Sequence, residues 1–328
     1  MRECLCHAAT FARIEAGLKR FDAQIRPLVI DDDKSITAPW GGEVEGAIQP
    51  QIVYATQDIY FSKAVGRFFE ILMANDRLEW FQSSAAGIEH PVLRAVGAKA
   101  GAYTSSHEQS AAIAEWVVWA GLDFFQGGNE RRAAQAARDW KRMPFREIAG
   151  SHWLVVGFGH IGQESAKRLR ALGARVTGVR RSGGSHEHAD AIVTPDRLHA
   201  ALAEADAVLL SLPLTEETEG LADAGFFAAM KHGALFANVG RGKLVDETAL
   251  LEGLAAGKPA HATLDVVAEE PLPGDNAIWS HPQITLTPHI SALTEAAKRR
   301  TDALFLGNLE RYLAGESLRN LVAREEFA

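Results

Sequence analysis

The chain has 328 residues, 47% of them hydrophobic and 23% charged, with a formal net charge of −8. That length exceeds what one hydrophobic core usually serves, so two domains are expected, and the acidic balance argues against a nucleic-acid-binding protein. Only two cysteines occur, Cys4 and Cys6, which excludes a disulfide framework; without further ligands close by they also make a poor metal site, and no metal is expected.

In chain order, the N-terminal stretch carries Glu3 and Glu15 and does not read as a signal peptide. No apolar run approaches the ~20 residues that span a bilayer, so a cytoplasmic protein without membrane contact is expected. "QIVYAT" (51–56) and "LEWFQS" (78–83) are strand candidates. A helix is predicted within "SSHEQSAAIAEWVVWAGL", where Ser106 and Gln109 have capping-box spacing and Ile113, Trp116, Val117 and Ala120 form a buried face. The Arg-rich "QGGNERRAAQAARDWKR" that follows reads as a solvated helix face. From 152 onward come "HWLVVG", "ARVTGV", "AVLLSL", "ALFANV", "HATLDVV" and "ITLTP". These runs are continuously apolar rather than alternating, as strands covered by helices on both faces should be. Strand and helix patterns in alternation predict an α/β fold with doubly wound parallel sheets. The cofactor-binding region, 113–290, is expected to be inserted in a smaller substrate domain made of 1–112 and 291–328.

"VVGFGHIG" carries Gly157, Gly159 and Gly162 in the Gly-x-Gly-x-x-Gly spacing. The first glycine permits the tight turn out of a strand, the second lets backbone approach a pyrophosphate, and the third lets the helix pack close to the sheet. His160 and Ile161 lie inside this loop, His160 contributing its backbone. Ile161, Ala166, Leu169 and Leu172 give the following helix its apolar stripe, and Gly173 is placed to end it. About 20 residues past such a loop a carboxylate usually meets the ribose hydroxyls. Here Arg180 and Arg181 stand there, with Ser182 beside them. A guanidinium can make charge-assisted bonds to a 2′-phosphate that a carboxylate would repel, so NADP(H) is expected over NAD(H).

Three later stretches end or follow predicted strands, where ligands gather in open α/β sheets: "NVGRGKLVDETAL" (238–250), "LDVVAEEPLP" (264–273) and "TPHISA" (287–292). They supply an arginine, a carboxylate and a histidine. A histidine can give a proton to a carbonyl oxygen near neutral pH, a carboxylate partner favours its protonated form, and an arginine can hold a substrate carboxylate.

With "GFGHIG" and "LPLTEET" (212–218), these motifs resemble the D-isomer-specific 2-hydroxyacid dehydrogenases, in family order and at family-like spacing, from about 150 to 292. The resemblance is looser earlier, through "SSAAGIEH" (83–90) and "AIAEWV" (112–117). It implies that His289 is the acid/base and that Glu270, directly before Pro271, is its partner, rather than Glu269. It implies that Arg241 binds the substrate's carboxylate and carbonyl, and that the backbone amides of Ala86 and Gly87 hold that carboxylate from the other domain. Asp265 would face the nicotinamide side of the cofactor. Leu212, Pro213, Thr218, Val239, Gly240 and Ser291 would join Arg241 and His289 along the cofactor's path. A homodimer is also implied. Arg180, in the place of the aspartate of NAD-dependent members, looks like the glyoxylate/hydroxypyruvate reductase branch. Trp279 is similar to that branch too, as an aromatic wall near the substrate or as a core or interface tryptophan. His186 and His188, near Asp190, read as a polar loop at the adenosine end rather than a metal site. Alternatives to a short-chain 2-oxo acid reductase are a dehydrogenase of a larger D-2-hydroxy acid, such as phosphoglycerate, and a cofactor-sensing regulatory protein on the same fold.

Overall fold

The computed structural model of the protein describes every residue except Glu43, Glu45 and Ala328. The chain divides into two compact units, 1–108 with 295–328, and 109–294. The divisions fall just ahead of helix Ser110–Phe125 and at the start of helix Glu295–Ala314.

The larger unit carries seven parallel strands: β7 (His152–Val156), β8 (Arg175–Val179), β9 (Ala191–Val193), β10 (Ala207–Leu210), β11 (Leu235–Asn238), β12 (His261–Leu264) and β13 (Ile284–Leu286). Their spatial order is β13-β12-β11-β10-β7-β8-β9, and every pairing is parallel. The continuous apolar runs are explained by the two layers of helix. Trp153 and Val155 of β7 face Ile113, Trp116, Val117, Ala120 and Leu169. Leu154 and Val156, one residue on, face the opposite layer with Phe226, Phe227 and Leu250. The period of two sends alternate side chains of one strand into two different cores.

In the smaller unit the strands β1 (Arg2–His7), β2 (Ile25–Ile30), β3 (Ile36–Thr37), β4 (Ile52–Ala55), β5 (Trp80–Ser83) and β6 (Ala102–Thr104) lie in the order β3-β2-β1-β4-β5-β6. The edge pairing of β3 with β2 is antiparallel, a departure from the parallel arrangement predicted throughout. The sequence reading passed over β1 and β2, the first because "RECLCH" opens on two charged residues, the second because Pro27 interrupts it. Cys4 and Cys6 point to one face of β1 and Leu5 to the other. Both thiols are buried in the core, and burial pushes Cys4 up to about 12, so they pack as small apolar groups.

Helix Glu295–Ala314 packs Phe305 and Leu309 on the face of Cys4, Cys6, Ile52, Tyr54 and Trp80. Phe305 stacks on Tyr54 with ring centroids 4.1 Å apart. The same helix supplies Asp302, which accepts from Arg13 Nε at 2.7 Å and from the Tyr54 hydroxyl at 2.8 Å. Arg13 also pairs with Asp58 at 2.7 Å. Charges this enclosed require such complete pairing.

The expected capping box does not form. Helix Ser110–Phe125 starts later than predicted and its N-cap, Gln109, makes no side-chain capping bond. The Ser106 hydroxyl instead accepts the Glu108 N–H at 3.3 Å, closing a local turn ahead of the helix. The Arg-rich helix Gly128–Ala136 buries no residue, as its polarity predicts.

Candidate active site

Strand order reverses beside β7: the chain runs outward through β8 and β9, then returns to β10 on the other side. A crevice at the carboxyl ends of the strands is expected there, and the glycine loop lies at it. Gly157 has φ +97°, and a Cβ on it would stand 2.8 Å from the Leu212 backbone nitrogen. The Ser211 hydroxyl donates to the Gly157 carbonyl at 2.8 Å, binding the ends of β7 and β10 together. A Cβ at Gly162 would come within 2.4 Å of the Gly157 oxygen, whereas one at Gly159 would meet nothing within 4 Å. The open space therefore lies over Gly159, the N-cap of helix His160–Ala171, which carries no side-chain cap. The helix N-terminus puts its positive dipole end at that space, which suits a dinucleotide pyrophosphate.

At the end of β8 the Arg180 guanidinium donates through Nε to the Gly183 carbonyl at 2.6 Å and through Nη2 to that of Ser185 at 3.3 Å. It thereby braces the turn through Gly183 and Gly184, both left-handed. Arg181 is exposed and pairs with Glu217 at 3.6 Å. His186 meets the Phe158 ring edge-on at 5.3 Å and the His188 ring at the same distance. Phe158 is itself buried and fills the space that a side chain at Gly178 would need.

The ends of β11, β12 and β13 carry Arg241, Asp265, Glu270 and His289, the candidate reactive residues. Asn238, fully buried at the end of β11, accepts the Gly240 N–H through Oδ1 and donates to the Arg241 carbonyl through Nδ2, each at 3.0 Å. This sets the loop from which Arg241 projects, and Arg241 Nη1 donates to the Gly240 carbonyl at 2.8 Å. Past β12, Asp265 is 1% exposed. Its Oδ1 accepts from the Thr287 hydroxyl at 2.6 Å and the Ile290 N–H at 2.9 Å, and its Oδ2 from the Ser291 N–H at 3.0 Å. Of the two neighbouring glutamates it is Glu270 that meets His289, with Oε2 2.8 Å from Nδ1. Glu270 Oε1 accepts the Val267 N–H at 3.2 Å.

The electrostatics of this pair follow from those contacts. The hydrogen bond to Glu270 raises the His289 pKa against the opposing effect of burial; the charges of Glu270 and Asp265 raise it further and that of Arg241 lowers it. Burial pushes the Glu270 carboxyl up, but the His289 hydrogen bond and charge, the Val267 N–H and Arg241 outweigh it, and the net shift is downward. Imidazolium and carboxylate thus stabilise each other, with the Arg241 charge acting on both. The side chains of His289 and Glu270 remain 49% and 37% exposed. With Nδ1 committed to the carboxylate, Nε2 is left for a reactant.

A sequence model described as D-isomer specific 2-hydroxyacid dehydrogenase, NAD binding domain, matches residues 118–291. The chain belongs to this family. Glyoxylate/hydroxypyruvate reductase B of Citrobacter koseri is 35% identical over 204 residues, covering 58% of this chain and 63% of that protein. D-3-phosphoglycerate dehydrogenase of Archaeoglobus fulgidus is 36% identical over 200 residues, covering 58% of this chain and 38% of that protein. The match thus spans less than two thirds of either relative. Among solved structures, a D-isomer specific 2-hydroxyacid dehydrogenase family protein of Aeromonas salmonicida superposes with a TM-score of 0.79 at 28% identity, over 98% of both chains. A D-isomer specific 2-hydroxyacid dehydrogenase of Xanthobacter autotrophicus, solved with NADPH and MES, gives 0.77 at 25% identity, over 100% of this chain and 99% of that one.

The remaining predicted positions of this family member are distributed as follows. Leu212 and Pro213 follow β10, and the Thr218 hydroxyl donates back to the Pro213 carbonyl at 2.8 Å, closing their turn. Trp279 is 54% exposed, so it is not a core tryptophan; its indole N–H donates to the Pro273 carbonyl at 2.9 Å. Ala86 and Gly87 belong to the smaller unit, just past β5, where the Ser83 hydroxyl accepts the Ala85 N–H at 3.0 Å. Sequence reasoning missed Ser211 and Asn238. Asn238 could have been suspected, because an Asn two residues ahead of a Gly at a strand end is a common local turn-former.

Proposed function

We propose that the chain is an NADP(H)-dependent reductase of short 2-oxo acids, of glyoxylate or hydroxypyruvate type, that forms D-2-hydroxy acids. The observation that carries this reading is the His289–Glu270 bond through Nδ1, which favours the protonated imidazole and leaves its Nε2 side for a reactant. Bound NADPH would supply the hydride to C2 of the oxo acid. His289 donates its Nε2 proton to the carbonyl oxygen as negative charge develops there, and Glu270 stabilises the imidazolium beforehand. The Arg241 guanidinium pairs with the substrate carboxylate and, lying where its field reaches His289, orients the carbonyl beside it. Gly157, Gly159 and Gly162 would hold the pyrophosphate.

The preference for NADP(H) is supported by Arg180, Arg181 and Ser182 at the end of β8, where an NAD enzyme needs a carboxylate. The Xanthobacter relative solved with NADPH agrees with it. A homodimer belongs to the same proposal, and sedimentation equilibrium tests it by returning twice the chain mass. A second reading keeps the chemistry and enlarges the substrate to a phosphoglycerate-like D-2-hydroxy acid, favoured by the 36% identity to the Archaeoglobus enzyme. One experiment separates these: loss of nicotinamide absorbance with a panel of 2-oxo acids, NADPH and NADH run side by side. Turnover of glyoxylate or hydroxypyruvate with NADPH above NADH supports the first reading, and turnover restricted to 3-phosphohydroxypyruvate the second. No turnover on any acid removes both and leaves a cofactor-sensing protein.

A further inference from the structure

We propose that Trp116 and Thr287 are positioning residues for His289, holding its turn in place through the buried carboxylate of Asp265. The proposal rests on the reading of His289 as the acid/base, and it starts from a backbone angle. His289 has φ +55°, one of four positive-φ positions among the described residues other than glycine. A residue with a Cβ stays in that left-handed region only where its surroundings over-determine it.

The Asp265 carboxylate does so from both sides. Ahead of His289 it accepts the Thr287 hydroxyl, and behind it the N–H groups of Ile290 and Ser291. The Asp265 carbonyl takes the N–H of His289 itself at 2.8 Å. The carboxylate is in turn held by a one-way chain. Trp116 Nε1–H lies 3.0 Å from the Thr287 hydroxyl oxygen. An indole nitrogen can only donate, so the hydroxyl must accept there, and its single proton is committed to Asp265. Trp116 is buried on helix Ser110–Phe125, so the chain begins on a rigid element and ends on the turn that carries the imidazole. Sequence reading assigned Trp116 to an apolar helix face; its N–H has a separate use.

Three ionisable groups act on His289: Glu270 through the Nδ1 hydrogen bond and its charge, Asp265 from beneath the turn, and Arg241 in opposition. If the turn loosens, the ring leaves its alignment with Glu270 and the imidazolium loses its main support. The His289 titration midpoint should then fall, and a misplaced proton donor should slow turnover without comparable loss of cofactor affinity.

The test uses the full-length protein and the variants Thr287→Val, Thr287→Ser and Trp116→Phe. The His289 imidazole is titrated by NMR, assigned by its absence in His289→Asn, and kcat and KM are measured against pH with the best substrate of the panel. Thr287→Val should lower the His289 midpoint and reduce kcat by about tenfold to hundredfold, with KM for NADPH little changed. Thr287→Ser, which restores the hydroxyl, should recover both. Trp116→Phe removes the donor together with part of the indole's volume but keeps an aromatic ring on that helix face, and should shift the midpoint in the same direction by less. If Thr287→Val does not fold, Trp116→Phe decides the matter alone. A wild-type midpoint in the folded variants, or equal damage from Val and Ser, overturns the proposal. Failure of the underlying reading looks different: His289→Asn would retain turnover whatever the NMR midpoints do.

Discussion

The larger and smaller units are built by the same rule, helices on both faces of a predominantly parallel sheet, yet they treat charge in opposite ways. In the smaller unit Arg13, Asp58, Asp302 and Tyr54 are tied together with further bonds from Thr10, Thr56 and Lys298, and the side chains of Arg13, Asp58 and Asp302 are only 22%, 12% and 9% exposed. Beyond β12 and β13 of the larger unit, His289 and Glu270 make one good bond and stay accessible. A charged group that must be buried needs all its hydrogen bonds filled by the protein, and so has nothing left for a ligand. A pair stopped at partial burial keeps one nitrogen for exchange while its partner still shifts its pKa. The difference teaches where chemistry can be placed on such a scaffold: at strand ends where pairing is incomplete by design of the loops, not where the charges are most numerous.

The sharpest way to break this comparison is His289→Ala. Its kcat should fall by about 10²–10⁴-fold while NADPH binding, followed by protein fluorescence quenching, survives; comparable turnover would remove His289 from the reaction. The opposite kind of residue is Phe305, fully buried against Tyr54 and Trp80. Phe305→Ala should destabilise the fold by about 3–5 kcal/mol in urea unfolding, and a loss below about 1 kcal/mol would deny that helix Glu295–Ala314 closes the core of its unit.

A smaller effect is expected at the end of β8. Arg180→Asp removes one charge-assisted partner, worth about 1.5–3 kcal/mol, and repels a second negative charge. It should weaken NADPH by more than tenfold relative to NADH; equal losses for both would mean that Arg180 serves only to brace the Gly183–Ser185 turn.

The smallest effect is on stability against pH. The His289 pKa is raised from 6.5, so its contribution is complete below 6.5 and is lost as pH rises through the raised value. The Glu270 pKa is lowered from 4.5, so its contribution is present above 4.5 and is lost as pH falls through the lowered value. The pair should therefore stabilise the protein most between 4.5 and 6.5. Half-exposure keeps that contribution modest. Urea midpoints measured from below 4.5 to above 6.5 should depend less on pH in Glu270→Gln; an unchanged profile would show that the bond carries no linked stability.

Legibility in the sequence was uneven for reasons that the two units make plain. The larger unit announces itself, because strands covered on both faces must be continuously apolar and a phosphate loop must have glycines at fixed spacing. The smaller unit hides β1 and β2, whose cysteines, proline and charged flanks dilute the same pattern. At the site, the choice of Glu270 over Glu269 came from resemblance and was met by a 2.8 Å contact. Asp265 was expected to face a cofactor; no local pattern showed that its carboxylate also accepts three hydrogen bonds from the turn around His289. No spacing in the sequence connects Trp116 to Thr287, which lie 171 positions apart.

Composition and periodicity alone determined that this is an α/β protein with a dinucleotide loop and arginines where a carboxylate is usual, because those properties are local: a turn needs its glycine and a covered strand its apolar run wherever they occur. Which carboxylate holds the imidazole, which hydroxyl and indole hold that carboxylate's neighbour, and which guanidinium hydrogens are already occupied were decided by the folded chain. Hydrogen bonds act over about 3 Å, and only the packing of distant segments can bring their partners that close.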